Sequence, residues 1–458
     1  MPVPAIIANV LEKHCIEYGV TEALPSTHLS TCCGLAKTTL LQDSQGKLQA
    51  IYSADSILDI DALRRLTGRE LKVTDQADIT SLCSKAQLER LPTVPRALGL
   101  DIAVDQRLLE AAELQLDAGL EHSIINMSNA QFKALLGDVV SGQFAVSEAL
   151  LQASTLDDID DVEQITTAIA SFTQLRIKQR LEETLEFPPL PETAQRIIKL
   201  RVDPNADIQD LSNIVESDPA LAAQVVSWAA SPYYAAPGKI KSVHDAIVRV
   251  LGFDLVLNLS LGLALGKTLK LPKDHARGFT PYWQQAVYAA TAVEALVAAI
   301  PPKQRPSMGM AYLSGLLHNF GYLILAEVFP PHFSNVCRYQ EANQFSNHCH
   351  IERHLLGVTR EQLGAWLMRL WNMPEEVCVA LRQQNEGHYQ DTQHAYANLL
   401  FIALRLLRNH GIGDAPLAPI PDEIFQRLHL DRNKATEAIA KMMESATDLN
   451  MMASNMAA

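Results

Sequence analysis

The residues best suited to chemistry lie together at Gly315-Leu316-Leu317-His318-Asn319-Phe320-Gly321, where a histidine stands directly before an asparagine. An aspartate in the second position would bring a divalent cation a negative charge and hard oxygen ligands; asparagine brings one neutral carbonyl. That single difference separates metal-assisted phosphoester hydrolysis from a site with no metal. Three further histidines, His348, His350 and His354, surround Glu352, and on a helix His350 and His354 share a face at ligand spacing. They lack a clear fourth partner and read as a His-rich surface helix. His244-Asp245 follows Ser242-Val243 in a helix-capping segment, which makes it structural.

These residues need elements to hold them, and 458 residues is enough chain for two or three units, each with its own core. Hydrophobic residues at 48% and charged residues at 20% are the balance of a soluble globular protein. A formal net charge of -14 argues against a broad nucleic-acid-binding surface, which needs clustered Lys and Arg. The N-terminus, Met1-Pro2-Val3-Pro4, has no basic n-region, and apolar runs stop short of a membrane span, so a cytoplasmic location is expected. Cysteines at 15, 32, 33, 83, 337, 349 and 378 form an odd, scattered set that suits free thiols in a reducing compartment. Adjacent Cys32 and Cys33 read as two small residues before a strand.

The hydrophobic period predicts a two-domain chain. Residues 1–146 are α+β, a mixed sheet with helices. Ile6, Ile7, Val10 and Leu11 mark an opening amphipathic helix; Thr38-Leu41 and Leu48-Tyr52 flank the turn Asp43-Ser44-Gln45-Gly46 as a β-hairpin. Residues 147–184 form a helical linker, opened by an acidic run from Asp157 to Glu163 that reads as a solvated face. Residues 185–458 are all-α, a helical bundle. Asp218-Pro219 and Ser242-Asp245 are helix starts, Gly252 a stop, and two helices are expected between Asp422 and Met452.

Within the helical half, Phe187-Pro188-Pro189-Leu190-Pro191, Glu216-Ser217-Asp218-Pro219-Ala220-Leu221, Ser242-Val243-His244-Asp245-Ala246-Ile247, Ser314-Gly315-Leu316-Leu317-His318 and Leu356-Gly357-Val358 occur in order. Together they resemble the HDOD domain, the HD-related output domain of bacterial signalling proteins. Catalytic members of the wider HD superfamily hold one or two metals through dispersed His and Asp ligands. The resemblance places Gln285 at the first His position, Asn319 at the Asp, Arg360 and the Gln383-Gln384 pair at later His positions, and leaves His318 alone. One histidine cannot assemble a divalent site, so the resemblance implies a metal-free, cofactor-free pocket used for binding.

The first 146 residues resemble the YbaK/aminoacyl-tRNA editing family on Leu35-Ala36-Lys37-Thr38-Thr39-Leu40-Leu41, Leu58-Asp59-Ile60-Asp61-Ala62-Leu63, Asp101-Ile102-Ala103-Val104-Asp105 and Ala118-Gly119 before Ile124-Ile125. That family, which includes editing domains associated with prolyl-tRNA synthetases, hydrolyses mischarged tRNA without a metal, and Lys37 matches its central lysine. A fixed ammonium can hold a phosphate or carbonyl while backbone donors polarise the ester. The family's Gly-x-x-Pro substrate loop corresponds to Pro92-Thr93-Val94-Pro95, in which Pro92 removes a backbone N–H.

The combined expectation is a bacterial signal-transduction protein with a catalytically degenerate HDOD output domain, a protein partner, and an editing-like domain that senses a ligand. The alternatives are an aminoacyl-tRNA deacylase that uses Lys37 on a tRNA 3′ end or an amino-acid-like ligand, and a metal-dependent phosphohydrolase.

Overall fold

The computed structural model describes residues 3–21, 34–151, 158–177, 189–391, 393–417 and 419–457. Cys32, Cys33, the Phe187-Pro188 start of the first helical motif and residues 178–184 of the expected linker lie outside them. The chain divides into two compact units, Met1–Ser154 with Ser334–His354, and Thr155–Phe333 with Leu355–Ala458. The first is discontinuous, which nothing in the sequence signals.

Among the described residues ten strands build the first unit: β1 Gly19–Thr21, β2 Ala36–Asp43, β3 Gly46–Ser53, β4 Ser56–Leu58, β5 Lys72–Val73, β6 Asp101–Asp105, β7 Glu113–Asp117, β8 Ile124–Ser128, β9 Val140–Gly142 and β10 Ala145–Ser147. Its main sheet runs β5-β2-β3-β6-β9, antiparallel around β2 and parallel from β3 through β6 to β9, beside a three-stranded β1-β8-β7 sheet and a β10-β4 pair. The β2-β3 hairpin closes with Asp43 opposite Gly46; the Asp43 carboxylate accepts the Gln45 N–H at 2.9 Å, and Gly46 takes the positive φ of +131° that side chains avoid. Its helices are α1 Ala5–Lys13, α2 Ile60–Thr67, α3 Gln76–Lys85 and α4 Asn129–Leu136. Ile7 and Leu11 of α1 pack with Ile51, Val104, Ile125 and Phe132 in the apolar core.

The second unit is helical, as its period predicts: α5 Asp158–Ile177, α6 Glu192–Arg201, α7 Ile208–Glu216, α8 Pro219–Ala229, α9 Val243–Ala246, α10 Phe253–Gly266, α11 Tyr282–Ala299, α12 Met308–Leu317 and α13 Phe320–Val328 come before the break. Helices α14 Pro330–Ala342 and α15 His348–Leu356 carry the segment that belongs to the first unit. After it come α16 Arg360–Leu370, α17 Glu375–Gln383, α18 His394–Asn409, α19 Asp422–Arg427, α20 Arg432–Met443 and α21 Ala446–Ala457. Asp218 caps α8 through the amides of Ala220 and Leu221, and Ser242 caps α9 through that of Asp245, which keeps His244-Asp245 structural. The last stretch holds three helices where two were expected, because His429 adopts a positive φ of 52° and separates α19 from α20. Among the described residues no helix is long and apolar enough to cross a membrane.

Two glycines of the His318 motif set its geometry. A Cβ on Gly315 would lie 2.6 Å from the Cα of Ala290, and one on Gly321 would lie 1.8 Å from the Arg360 carbonyl oxygen. Only hydrogen on these carbons lets α12 approach α11 and α13 approach the start of α16. His318 and Asn319, in the corner between α12 and α13, are thereby pressed against Gln285 and Arg360.

Candidate functional site

The second unit brings four of the five HD-type positions together. Asn319 Nδ2 donates to Gln285 Oε1 at 3.2 Å, and Arg360 Nη1 donates to Asn319 Oδ1 at 3.2 Å and to Asp414 Oδ2 at 2.9 Å. Gln285 Nε2 donates in turn to the Thr280 carbonyl at 2.6 Å, and the Gly413 amide donates to Thr280 Oγ1 at 3.0 Å. The sequence leads one to expect an emptied pocket; the structure fills this place with a hydrogen-bonded network whose cation is Arg360. The guanidinium also lies 5.3 Å from the centroid of the Tyr322 ring.

His318 joins this cluster as a neutral residue. Burial lowers its pKa to about 4, and Nδ1 sits 2.7 Å from the Gly315 carbonyl, so the neutral ring carries its proton there. Gln384, not Gln383, reaches it: Gln384 Nε2 donates to the His318 carbonyl at 2.9 Å. Gln383 is buried on α17, and its Oε1 has no hydrogen-bond partner among the described residues. The family resemblance gave no hint of Asp414 or Thr280, which lie in loops between helices and carry no spacing signal.

The acidic run also departs from expectation, since Asp161 is 5% exposed rather than solvated. Its two oxygens accept from Arg382 Nε and, at 3.0 Å, Arg382 Nη2; Gln362 Nε2 adds a bond at 2.6 Å. The Gln362 Oε1 meanwhile accepts the Thr359 N–H at 2.9 Å in a capping box at the start of α16. Helix α5 is thus tied to the neighbours in sequence of Arg360 and Gln383.

In the first unit Lys37 stands opposite Tyr52 across the β2-β3 hairpin, its Nζ 5.3 Å from the Tyr52 ring centroid. It is no solvated strand lysine: its side chain is 24% exposed, Nζ donates to Ser346 Oγ at 3.2 Å, and Glu148 Oε1 is 4.0 Å away. Desolvation lowers the Lys37 pKa to about 8, against the pull of Glu148 and Asp55. Pro92 and Pro95 are buried, with the Pro92 carbonyl accepting from Gln49 Nε2 at 2.7 Å; that loop is held by β3 and not by Lys37.

The three α15 histidines correct the surface-helix reading. His348 and His350 are buried, His350 Nδ1 lies 3.4 Å from Glu148 Oε2, and His354 Nε2 lies 3.3 Å from Asp59 Oδ2. Burial pushes Glu148 and Asp59 upward, but these histidines and neighbouring donors outweigh it and hold both carboxyls below their usual range. His350 and His354 thus each face a carboxylate of their own.

Comparison with known proteins identifies the helical unit. The HDOD domain description matches residues 187–387. The crystal structure at 2.25 Å of a protein from Marinobacter aquaeolei VT8, provisionally assigned to signal transduction, is 42% identical, covers 100% of both chains and superposes with a TM-score of 0.90. The chain carries an HDOD domain in its helical unit. An HDOD protein of Geobacter sulfurreducens with no known function shares the helical fold, at 21% identity over 64% of this chain and a TM-score of 0.50. An uncharacterized protein of Treponema pallidum (strain Nichols) is 21% identical over 294 residues, and this chain spans about half of its length, 54%. A provisionally named trans-editing enzyme for prolyl-tRNA synthetase aligns over 32% of this chain at 18% identity and a TM-score of 0.28, so the editing resemblance of the first unit rests on its sequence motifs.

Proposed function

We propose that this HDOD protein acts in signal transduction by binding, and that its helical unit carries out no metal chemistry. One observation carries the reading: Arg360, a permanent cation, donates to Asn319 and Asp414 in the cluster that holds His318. The donor set does not suit a divalent metal. It offers one imidazole with Nδ1 committed to Gly315, two neutral carboxamides and a guanidinium that would repel a second cation about as strongly as Asp414 would attract it. A buried network of this kind, each member bonded to the next, favours a rigid scaffold for a protein partner. The test is elemental analysis of the purified protein together with hydrolysis assays on phosphoester substrates. Stoichiometric metal that is lost in His318→Ala overturns the reading and restores the phosphohydrolase alternative.

A second reading concerns the first unit, where a lysine with its pKa drawn down to about 8 beside Tyr52 and Glu148 favours an aminoacyl-tRNA deacylase. An ammonium partly free of its proton can bind an ester carbonyl or assist proton transfer to the leaving hydroxyl. Turnover of mischarged tRNA that vanishes in Lys37→Ala supports it; equal rates in the two proteins remove it.

A further inference from the structure

We propose that Ser346 is the nucleophile of the Lys37 site and Lys37 its general base, so that an ester is cleaved there through an acyl-serine intermediate. The inference deepens the second reading above and rests on Lys37 taking part in ester hydrolysis. It adds a residue that the editing motifs, all within the first 146 positions, do not contain. Serine–lysine pairs perform acyl transfer on unrelated folds.

Geometry carries the assignment. Lys37 Nζ and Ser346 Oγ are 3.2 Å apart, within the reach over which a base takes a hydroxyl proton. Glu148 Oε1 is farther from Lys37, at 4.0 Å, and the other oxygen of that carboxylate faces His350 at 3.4 Å. Ser346 is half-buried in the turn between α14 and α15, next to Phe345, which is 79% exposed, so the pair lies where a substrate can arrive. Helix α15 starts two residues on, and the positive end of its dipole favours negative charge developing on an acyl oxygen.

The turn is held in place, as a nucleophile requires. The Ser346 N–H donates to the Asn343 carbonyl at 3.0 Å. Asn343 Oδ1 accepts the Leu58 N–H at 2.7 Å, and its Nδ2 donates to the Leu58 carbonyl at 3.1 Å. Thr39 Oγ1 donates to the Ala342 carbonyl at 3.1 Å. On either side Tyr339, Ala342, Cys349 and Ile351 are buried, so apolar packing seats the segment against the site.

The charge state of Lys37 suits a base. Loss of water draws its pKa down to about 8 against the pull of Glu148 and Asp55, so about one-tenth of it is free amine at pH 7. For a lysine of ordinary pKa that share is roughly one part in a few thousand. In the first step the amine takes the Ser346 proton as Oγ bonds to the acyl carbon, the ester C–O bond breaks, and the ammonium returns the proton to the departing alcohol. In the second, water gives a proton to Lys37 and its oxygen to the acyl carbon; the acid departs and the proton returns to Oγ. Water is the only co-reactant, and nothing is oxidised or reduced.

Incubating the intact protein with p-nitrophenyl acetate, quenching with acid and locating the acetyl group by peptide mass spectrometry tests the assignment. The expected product is an acetyl on Ser346 that hydroxylamine removes, formed at a rate that rises through a midpoint near pH 8. Lys37→Met should slow its formation roughly a hundredfold, and Ser346→Ala should abolish it. An acetyl on Lys37 in place of Ser346, no acetyl on either, or an equal rate in Lys37→Met overturns the proposal. Should Lys37→Met not fold, the position and pH midpoint of labelling in the intact protein decide. Mischarged tRNA separates this inference from the reading beneath it. Turnover lost in Lys37→Ala but unchanged in Ser346→Ala removes the serine and keeps the deacylase; acetyl-Ser346 without tRNA turnover keeps the serine and removes tRNA as its substrate.

Discussion

Arg360 Nη1 stands 3.2 Å from Asn319 Oδ1, so a permanent cation is hydrogen-bonded to the carboxamide that directly follows His318. Placing an aspartate or a histidine at one of these positions alone should therefore not create a metal site. In Asn319→Asp the new carboxylate pairs with Arg360 at once. Metal content by mass spectrometry should remain far below one ion per chain in Asn319→Asp, and should rise only when Arg360→His is added. Stoichiometric metal in the single variant contradicts this.

His318 links stability to pH. Its pKa in the folded chain is about 4, below the ordinary 6.5, so between these values the unfolded chain takes up the proton first. The contribution is complete above pH 6.5 and is lost as pH falls toward 4, with a total of about 3 kcal/mol. Denaturant titrations between pH 7 and 4 should show this decline, and His318→Gln should remove most of it. An identical slope in the variant shows that His318 is not its source.

The Asp161–Arg382 pair, 5% and 4% exposed, is costly to break from one side. Asp161→Asn leaves a buried guanidinium without its counter-charge and should destabilise the chain by about 3–5 kcal/mol. Arg382→Met combined with Asp161→Leu should recover much of that loss, which urea melts of the four proteins would measure. Additive losses in the double variant would show that the pair does not act as a unit.

Much of this was legible in residue order, and the rest was not for a physical reason. The hairpin around Asp43 and Gly46, the caps at Asp218 and Ser242 and the helical half depend on neighbours along the chain, which is where period and turn chemistry act. The grouping of Gln285, Asn319 and Arg360 was reached through the family's motif. What stayed hidden depends on partners far away in sequence: Asp414 on Arg360, Asp161 on Arg382, Ser346 on Lys37 across 309 positions. A buried acid and a solvated acid look the same in a one-dimensional string.

Gly321 offers a test that opposes helix propensity to packing. Alanine is worth about 1 kcal/mol over glycine in a helix. Yet its Cβ would fall 1.8 Å from the Arg360 carbonyl oxygen, a backbone atom that cannot turn aside. Gly321→Ala should destabilise by at least about 3 kcal/mol and loosen the Arg360–Asn319 contact, seen as a lower melting temperature and faster exchange in α16. A variant as stable as its parent would show that α13 and α16 can separate freely.

The discontinuity of the first unit has a consequence during synthesis. Ser334–His354 emerges from the ribosome only after about 200 further residues have followed Ser154, roughly 10–40 s at about 5–20 residues per second. During that interval the Leu58 N–H and C=O have no Asn343 to meet, and β4 presents a raw strand edge of the sort that pairs with stray chains. A nascent chain of this kind depends on something else to shield that edge, so its yield in the cell should respond to translation speed and chaperone supply more than its final stability would suggest.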